Sequence, residues 1–374
     1  MIVQYDVALI GLGKMGISHL AIANATPGIK VSAIVDSSSM IGNLVGKYCS
    51  IPFFDTFERA IDLPGLQGVI IATPTRLHEH MIRQAMARGL HVFCEKPMTL
   101  NASTSFELAS EAAERGLTCQ VGYHNRFVGT FAEAKRLLDV GAIGRIRHVH
   151  AEAYGPVVLK PAARTWRSKA TEGGGCLYDY AAHPINLMNW YAGTPIACAG
   201  AQLEQQWSDD VDDAVYANLT FGNGISGQVS VNWADETARK MSTRMTIWGD
   251  GGKITVDRQE IQVFIGASGT PQPGYPGGWS IKYLTELSPH PGYYLRGEEY
   301  SLQIESFARA IARSDGGSDN DFASAAVTDY TLEMIRSASK GAARTAHAVH
   351  TAHTVQPSEV SRPKLRTFWR AAAK

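Results

Sequence analysis

The sequence predicts an α/β chain in which a parallel sheet wrapped by helices is followed by an α+β unit built on a mostly antiparallel sheet. Three observations carry this. The first third alternates short apolar runs with helical stretches, a glycine-rich turn joins the first strand to the first helix, and from about residue 145 the β-rich runs lengthen and alternate in polarity. Length agrees: 374 residues exceed what one hydrophobic core usually organises, and 45% apolar residues suffice for two.

In the first third, VALIGLG leads into a helix expected over residues 18–25, and KVSAIVD, GVIIATP, HVFCEKP and TCQVGYH follow, with the unit ending near Gly122. Near-continuous apolar strands separated by crossovers are the pattern of a parallel sheet buried on both faces. Beyond it, RIRHVHAEAY, AVYANLTF, ISGQVSVNW, MTIWG and KITVD read as strands of an antiparallel sheet. Asn223-Gly224 and Gly249-Asp250-Gly251-Gly252 stand between successive strands, where they are expected to supply positive φ for tight hairpins. Residues 266–279 read as a loop; Ile304, Phe307, Ala308 and Ile311 recur at helical spacing, and Leu332 and Ile335 lie in a further helical stretch. The expected division is 1–122, 123–345 and a tail, 346–374. Residues 357–374 carry five basic groups and one acidic one, the composition of a solvated tail or of an arm on a neighbouring subunit.

Thirty-five basic residues against thirty-five acidic ones leave no broad field for gathering nucleic acid or an anionic membrane, so the expected partner is a small molecule. The five cysteines are odd in number and lack CxxC spacing, which argues for reduced thiols and against a zinc site. The start, MIVQYDVALIGLG, lacks the marks of a leader, and no run of about 18 apolar residues occurs elsewhere, so a cytoplasmic location is expected.

Gly11, Gly13 and Gly16 form a GxGxxG between a strand and a helix. In that context Gly11 permits the tight turn, Gly13 lets the backbone approach a pyrophosphate, Gly16 allows close helix packing, and free helix-start amides face the phosphates. Asp36 falls twenty residues after Gly16, at the end of the second strand, where a carboxylate accepts hydrogen bonds from ribose hydroxyls. Serines 37–39 follow instead of an arginine, so NAD is expected over NADP.

GLGKMG, Ala72-Thr73-Pro74-Thr75, Glu95-Lys96-Pro97, and Gly173-Gly174-Gly175 followed by Asp179 and His183 together resemble the Gfo/Idh/MocA family of glucose-fructose oxidoreductases and inositol dehydrogenases. The resemblance spans about residues 5 to 340. It implies a Rossmann domain followed by a C-terminal α+β domain with a large, mostly antiparallel sheet, and a homodimer or homotetramer built across that sheet. It also implies NAD as cofactor and hydride transfer at a secondary alcohol carbon of a sugar or cyclitol. Two alternatives stand beside this: an NAD-dependent glycosidase that oxidises a ring carbon transiently, and a non-catalytic dinucleotide sensor, against which the intact Lys96, Asp179 and His183 weigh.

Carried over position by position, the family pattern makes Lys96, Asp179 and His183 the catalytic candidates. Histidine titrates near neutral pH and suits the base that takes the hydroxyl proton, while a cationic Lys96 stabilises developing alkoxide. The implied cofactor-binding set is Gly11, Gly13, Lys14, Met15 and Gly16 in the turn, Asp36, Thr73 and Pro74, His78, Glu95 and Lys96, and Asn125. The candidate substrate-binding set is Tyr123, Arg164, Trp166, Arg167, Asp179, His183 and His290, of which Arg164 and His290 rest on their charge and place in the sequence. Four basic residues, Lys160, Arg164, Arg167 and Lys169, precede the triple glycine; they read as a solvated loop or, in the alternative, one or two of them offer paired donors to an anionic substrate group. Where the family often has a second acid three residues after the histidine, this chain has Asn186. Arg126 reads as structural in its strand-to-helix turn. His347, His350 and His353 lack an accompanying carboxylate or cysteine, and the acidic run 209–213 lacks the glycine and terminal glutamate of a calcium loop, so no metal site is expected.

Overall fold

The computed structural model describes residues 4–158, 166–288, 297–313 and 317–352. The first layer runs β1 (Tyr5–Ile10), α1 (Lys14–Ala25), β2 (Ile29–Val35), α2 (Ser39–Tyr48), β3 (Phe53–Phe54), α3 (Phe57–Ile61), β4 (Gly68–Ile71), α4 (His78–Ala87), β5 (His91–Cys94), α5 (Ala102–Glu114) and β6 (Cys119–Val121). Its strands lie in the order β3-β2-β1-β4-β5-β6 and all neighbours are parallel. This is the Rossmann arrangement. Strand order reverses between β1 and β4, which opens a crevice beyond their carboxyl ends, where such sheets bind ligands. Residues of β1 and β4 are buried on both faces, as crossover helices above and below require.

The chain continues through α6 (Gly129–Asp139), β7 (Ile146–Tyr154), α7 (Ala182–Ala192), β8 (Pro195–Glu204), β9 (Ala214–Phe221), β10 (Ser226–Asn232), β11 (Ser242–Gly249), β12 (Gly252–Asp257), β13 (Glu260–Ile265) and β14 (Gly278–Tyr283). These strands form an eight-stranded sheet, β14-β13-β12-β11-β7-β10-β9-β8, antiparallel except for β7 beside β10. One face packs on α7: Val149, Ala151 and Ala153 of β7 point inward, while the residues between them are partly exposed. A short α8 (Leu284–Leu287), α9 (Glu298–Arg313) and α10 (Phe322–Ala352) complete the described chain.

Two helices of the second half return to the first. Ile304, Phe307 and Ile311 of α9 share one core with Leu9, Ile22 and Phe93, so α9 covers a face of the parallel sheet although the sequence groups it with the later unit. Helix α10 packs on α5, α7 and β8 and bridges the layers. The crevice is thereby held between elements of both.

Three features differ from expectation. Helix α1 starts at Lys14, four residues early, because the glycine turn itself enters the helix. Strands β3, β8, β13 and β14 were not foreseen; β3 is two residues long, β8 is rich in Ala and Gly, and β14 begins inside the stretch read as a loop, taking Trp279 with it. Gly224 has φ +79° as anticipated, but Gly249, Gly251 and Gly252 lie outside the left-handed region. Their glycines answer to crowding instead: a Cβ on Gly249 would stand 2.2 Å from the Ile143 carbonyl oxygen. All five cysteines are unpaired thiols. Among the described residues no helix is long and apolar enough to cross a membrane.

Candidate active site

The glycine turn is built as a nucleotide cradle. Gly11 has φ +89°, and a Cβ there would press on the Ala72 carbonyl oxygen at 2.8 Å, so β1 and β4 can approach only if this residue is glycine. Gly16 lies against Gly11, whose carbonyl oxygen a Cβ would meet at 1.8 Å. At Gly13, the N-cap of α1, a Cβ would meet nothing within 4 Å, so open space faces the first-turn amides of Lys14, Met15 and Gly16. Asp36 sits one residue past β2, where its Oδ2 accepts from the Leu12 amide (2.7 Å) and its Oδ1 from the Ser38 amide (2.9 Å). The carboxylate is thus fixed against the turn with lone pairs left for a diol. These features fit NAD. Asp36→Ala is expected to narrow the preference for NAD over NADP by about tenfold or more, the range lost with a charge-assisted hydrogen bond and a removed phosphate repulsion; equal binding of the two by the unaltered protein, read by fluorescence titration, would refute the role of Asp36.

Further along the crevice, Thr73 and Pro74 follow β4, and Glu95 and Lys96 follow β5, with a cis bond between Lys96 and Pro97. His78 is buried between these loops: Nδ1 lies 3.0 Å from the Pro97 carbonyl oxygen and Nε2 3.0 Å from that of Thr73. Burial holds its pKa below the usual histidine value despite both carbonyls. Each ring nitrogen faces a carbonyl oxygen, and the neutral ring donates to one of the two, so His78 braces the loops. From below, buried Asp329 of α10 accepts from the Thr99 amide (3.1 Å) and the Ser105 hydroxyl (2.7 Å), with burial pushing its carboxyl up to about 7.

The Lys96 side chain crosses to the second layer. Its Nζ donates to Oδ1 of Asp179 (2.9 Å) and to the Asp179 carbonyl oxygen (2.8 Å). Oδ2 of Asp179 accepts from Nε of Arg167 (2.7 Å), whose guanidinium lies 4.8 Å from the centre of the Trp166 ring. One carboxylate thus joins two cations. Burial alone would raise the Asp179 pKa, but Lys96 and Arg167 outweigh it and hold the carboxyl below its ordinary range.

The triple glycine makes this placement possible. A Cβ on Gly174 would lie 2.3 Å from the Arg167 carbonyl oxygen, and the Gly175 amide donates to that oxygen (3.1 Å), so the loop carrying Arg167 is pressed onto the glycines. Residues Leu177–Ala181 then form one π-helical turn before α7. Its start is capped by Asp212, whose Oδ2 accepts from the Leu177 amide (2.6 Å). Asp213 accepts from the amides of residues 206–208 and from the Trp233 indole, so the acidic run is backbone scaffolding. Pro184 follows the π-helical turn closely and has no amide proton to offer its carbonyls.

His183 is buried beside this group, edge-on to His124 (4.9 Å between centroids) and to Tyr123 (6.3 Å). Its Nδ1 is buried without a partner, and no hydrogen bond joins it to Asp179, both of whose oxygens are occupied. Burial, then the charges of Lys96 and Arg258, hold its pKa well below the usual value, so the ring is neutral. Asn186 supplies no acid; its Oδ1 accepts from Arg126 (2.9 Å), which also donates to the Asp319 carbonyl oxygen (3.0 Å), and Arg126 is a strut. Burial lowers its guanidinium pKa to about 10.

Besides Asp329, sequence reading missed two groups. Arg258, between β12 and β13, pairs with buried Glu299 and donates to Oδ1 of Asn125 (3.3 Å), whose Nδ2 is buried without a partner. A lone arginine in a turn carries no signal. His19 of α1 reaches Glu95, and its place three residues after Gly16 was the available clue. Arg164, Lys160, His290 and His353 lie outside the described residues, as do the side chains of His347 and His350. Among the described residues no group of three or more His, Cys, Asp or Glu could hold a metal ion.

Residues 5–123 match the model of the oxidoreductase family with an NAD-binding Rossmann fold, and residues 131–255 match the GFO/IDH/MocA C-terminal domain. Similar proteins include the scyllo-inositol 2-dehydrogenase (NAD(+)) of Bacillus subtilis, 28% identical over 329 residues, which cover 82% of this chain and 86% of that protein. The levoglucosan dehydrogenase of Pseudarthrobacter phenanthrenivorans is 26% identical over 359 residues, covering 84% and 90%. A solved levoglucosan dehydrogenase in complex with NADH and levoglucosan shares the fold, with a TM-score of 0.80 at 24% identity over 90% of this chain and 98% of that one. With the cradle for NAD, the strand order and both domain models in agreement, the chain belongs to the Gfo/Idh/MocA family of NAD-dependent oxidoreductases.

Proposed function

We propose that this enzyme oxidises a secondary alcohol carbon of a sugar or cyclitol, with Lys96, Asp179 and His183 as its catalytic residues. The observation that carries the reading is the meeting of Lys96, from the end of a Rossmann strand, with Asp179 beside a neutral, buried His183. The names of the two relatives specify a cyclitol and an anhydrosugar as their substrates.

NAD, when bound, accepts the hydride. The rest falls to the chain. Lys96 donates to the substrate oxygen and stabilises the charge that grows there as the proton leaves. His183 is the base: it is neutral at pH 7, and among the described residues no partner competes for its Nε2. Asp179 holds Lys96 from behind, and Tyr123 and His124 wall the imidazole.

Arg167 and Trp166 border the substrate. Lys96 and Arg167 share the Asp179 carboxylate, and the terminal amino groups of Arg167 have no partner among the described residues. A substrate bearing one negative group is favoured on that ground, with paired donors from the guanidinium. A panel of hexoses, their uronic acids, cyclitols and aryl glycosides tests these points while NADH formation and aglycone release are followed together. NADH formation without aglycone release supports the dehydrogenase; release without net NADH supports the glycosidase. Arg167→Gln is expected to raise KM for the acids about tenfold more than for the neutral sugars. Equal effects on both would defeat the anion site.

The domain division at residues 122 and 345, a cytoplasmic location and a homo-oligomer built across the large sheet belong to the same proposal. The partly exposed Tyr216, Phe264, Trp279, Ile281 and Tyr283 on that sheet supply apolar surface for such an assembly, which light scattering measures directly.

A further inference from the structure

His19 stands apart from the groups assigned so far. It projects from α1, the helix whose first turn faces the cofactor, and it is fully buried. Its Nε2 lies 2.7 Å from Oε1 of Glu95. Since a carboxylate only accepts, Nε2 carries the proton in this bond. The ring is clamped edge-on by Phe93 of β5 at 5.3 Å, and Phe93 in turn meets Phe307 of α9. Nδ1 is buried without a partner, so the ring contributes one polar contact, to Glu95.

Glu95 is the residue before Lys96. Its Oε2 accepts from the Lys96 amide (3.3 Å), and Gly122 leaves room for the carboxylate, since a Cβ there would stand 3.2 Å from Oε1. The carboxylate therefore ties three parts together: the cofactor helix through His19, the strand end through its own backbone, and the Lys96 peptide through its amide.

We infer that His19 is a positioning residue for catalysis, coupling the seating of the dinucleotide on α1 to the placement of Lys96 by way of Glu95. The inference rests on the dehydrogenase reading and deepens it. Groups facing Glu95 are His19 from α1, His78 from α4, Lys96 from its own loop, and the thiol of Cys94 and phenol of Tyr123 on the sheet side. Burial pushes the Glu95 carboxyl upward, but the hydrogen bond and charge of His19, together with Lys96, prevail and hold it below its ordinary range. Without His19 the effect of burial is left less opposed, and Glu95 titrates at higher pH than before.

The test uses the full chain with NAD and its best substrate, comparing His19→Ala, His19→Gln, Glu95→Gln and the double variant His19→Ala with Glu95→Gln. His19→Ala is expected to lower kcat by about 10- to 100-fold, the range for losing a buried hydrogen bond to a charged group, and to add an ionisation to the acid side of its pH profile. His19→Gln, which can donate to the same oxygen, restores most of kcat. The double variant is no worse than Glu95→Gln alone, because residues that act through one bond are not additive. The same cycle is read on NADH affinity by fluorescence, so that the coupling is judged even if no alcohol in the panel is turned over and the dehydrogenase reading fails. An additive cycle on both readouts, or a His19→Ala profile of unchanged shape, would show that His19 only fills the core. Should His19→Ala fail to fold, unaltered kcat and NADH affinity in Glu95→Gln overturn the inference.

Discussion

Lys96→Ala and His183→Asn are each expected to lower kcat by ~10²- to 10⁴-fold while leaving NADH binding within a few-fold of the unaltered protein. The two losses differ in kind. Removing Lys96 takes away the cation at the substrate oxygen and leaves Asp179, a buried carboxylate, with Arg167 as its remaining ionic partner. A broken buried pair costs ~3–5 kcal/mol when the remaining charge is stranded, but Arg167 still neutralises Asp179, so the stability loss falls short of that. Removing His183 strands no charge, since the ring is neutral. Its signature is in the pH profile. Because burial and the charges of Lys96 and Arg258 depress its pKa, the base form persists at pH 6.5 and the acid limb of kcat/KM lies below that value. In His183→Asn this limb disappears. Stability follows the same sign: a histidine that folds neutral binds fewer protons than the unfolded chain, so stability falls as pH drops below the unfolded pKa near 6.5. Stopped-flow measurement of NADH formation between pH 5 and 8 separates the two variants. Near-normal turnover in both would overturn the catalytic assignment.

Local rules made much of this molecule legible in advance. The glycine turn, the apolar strands beside it and Asp36 follow from backbone geometry and charge acting over a few dozen residues, which a sequence displays directly. Lys96, Asp179 and His183 were singled out only through the family pattern, because the contact between Lys96 and Asp179 spans 83 residues of chain. Their pairing was not legible. Asp179 and His183 stand four residues apart, yet the oxygens of Asp179 accept from Lys96 and Arg167 and none from His183. Arg258 and Asp329 were invisible because each is a lone charge whose meaning lies in what tertiary packing sets against it: Asn125 and Glu299 for one, Thr99 and Ser105 for the other.

Gly16→Ala and Gly13→Ala are expected to weaken cofactor binding strongly by different routes, and the contrast tests the cradle. At Gly16 the added Cβ would lie 1.8 Å from the Gly11 carbonyl oxygen and 2.8 Å from its carbon, both backbone atoms that no rotamer change can move. Helix α1 must shift away from β1. Overpacking of this kind costs ~1–3 kcal/mol, and the shift carries the first-turn amides out of line with the phosphates. Gly16→Ala therefore melts several degrees lower and binds NADH at least ~10²-fold more weakly. Gly13 presents the opposite case. Its φ of −66° suits any residue, and its Cβ would meet no protein atom within 4 Å. An alanine there loses a little as an N-cap and gains a little from a less flexible unfolded chain, so the apoprotein's stability stays within ~0.5 kcal/mol. Yet the methyl group stands in the space through which the pyrophosphate must approach the backbone, and NADH affinity falls by ~10²-fold as well. Thermal melts and NADH fluorescence titrations on the two variants resolve the pattern: binding lost with stability at Gly16, and binding lost without it at Gly13. If Gly13→Ala binds NADH as tightly as the unaltered protein, the open face of this turn is not where the pyrophosphate sits, and the cofactor must be placed elsewhere in the crevice.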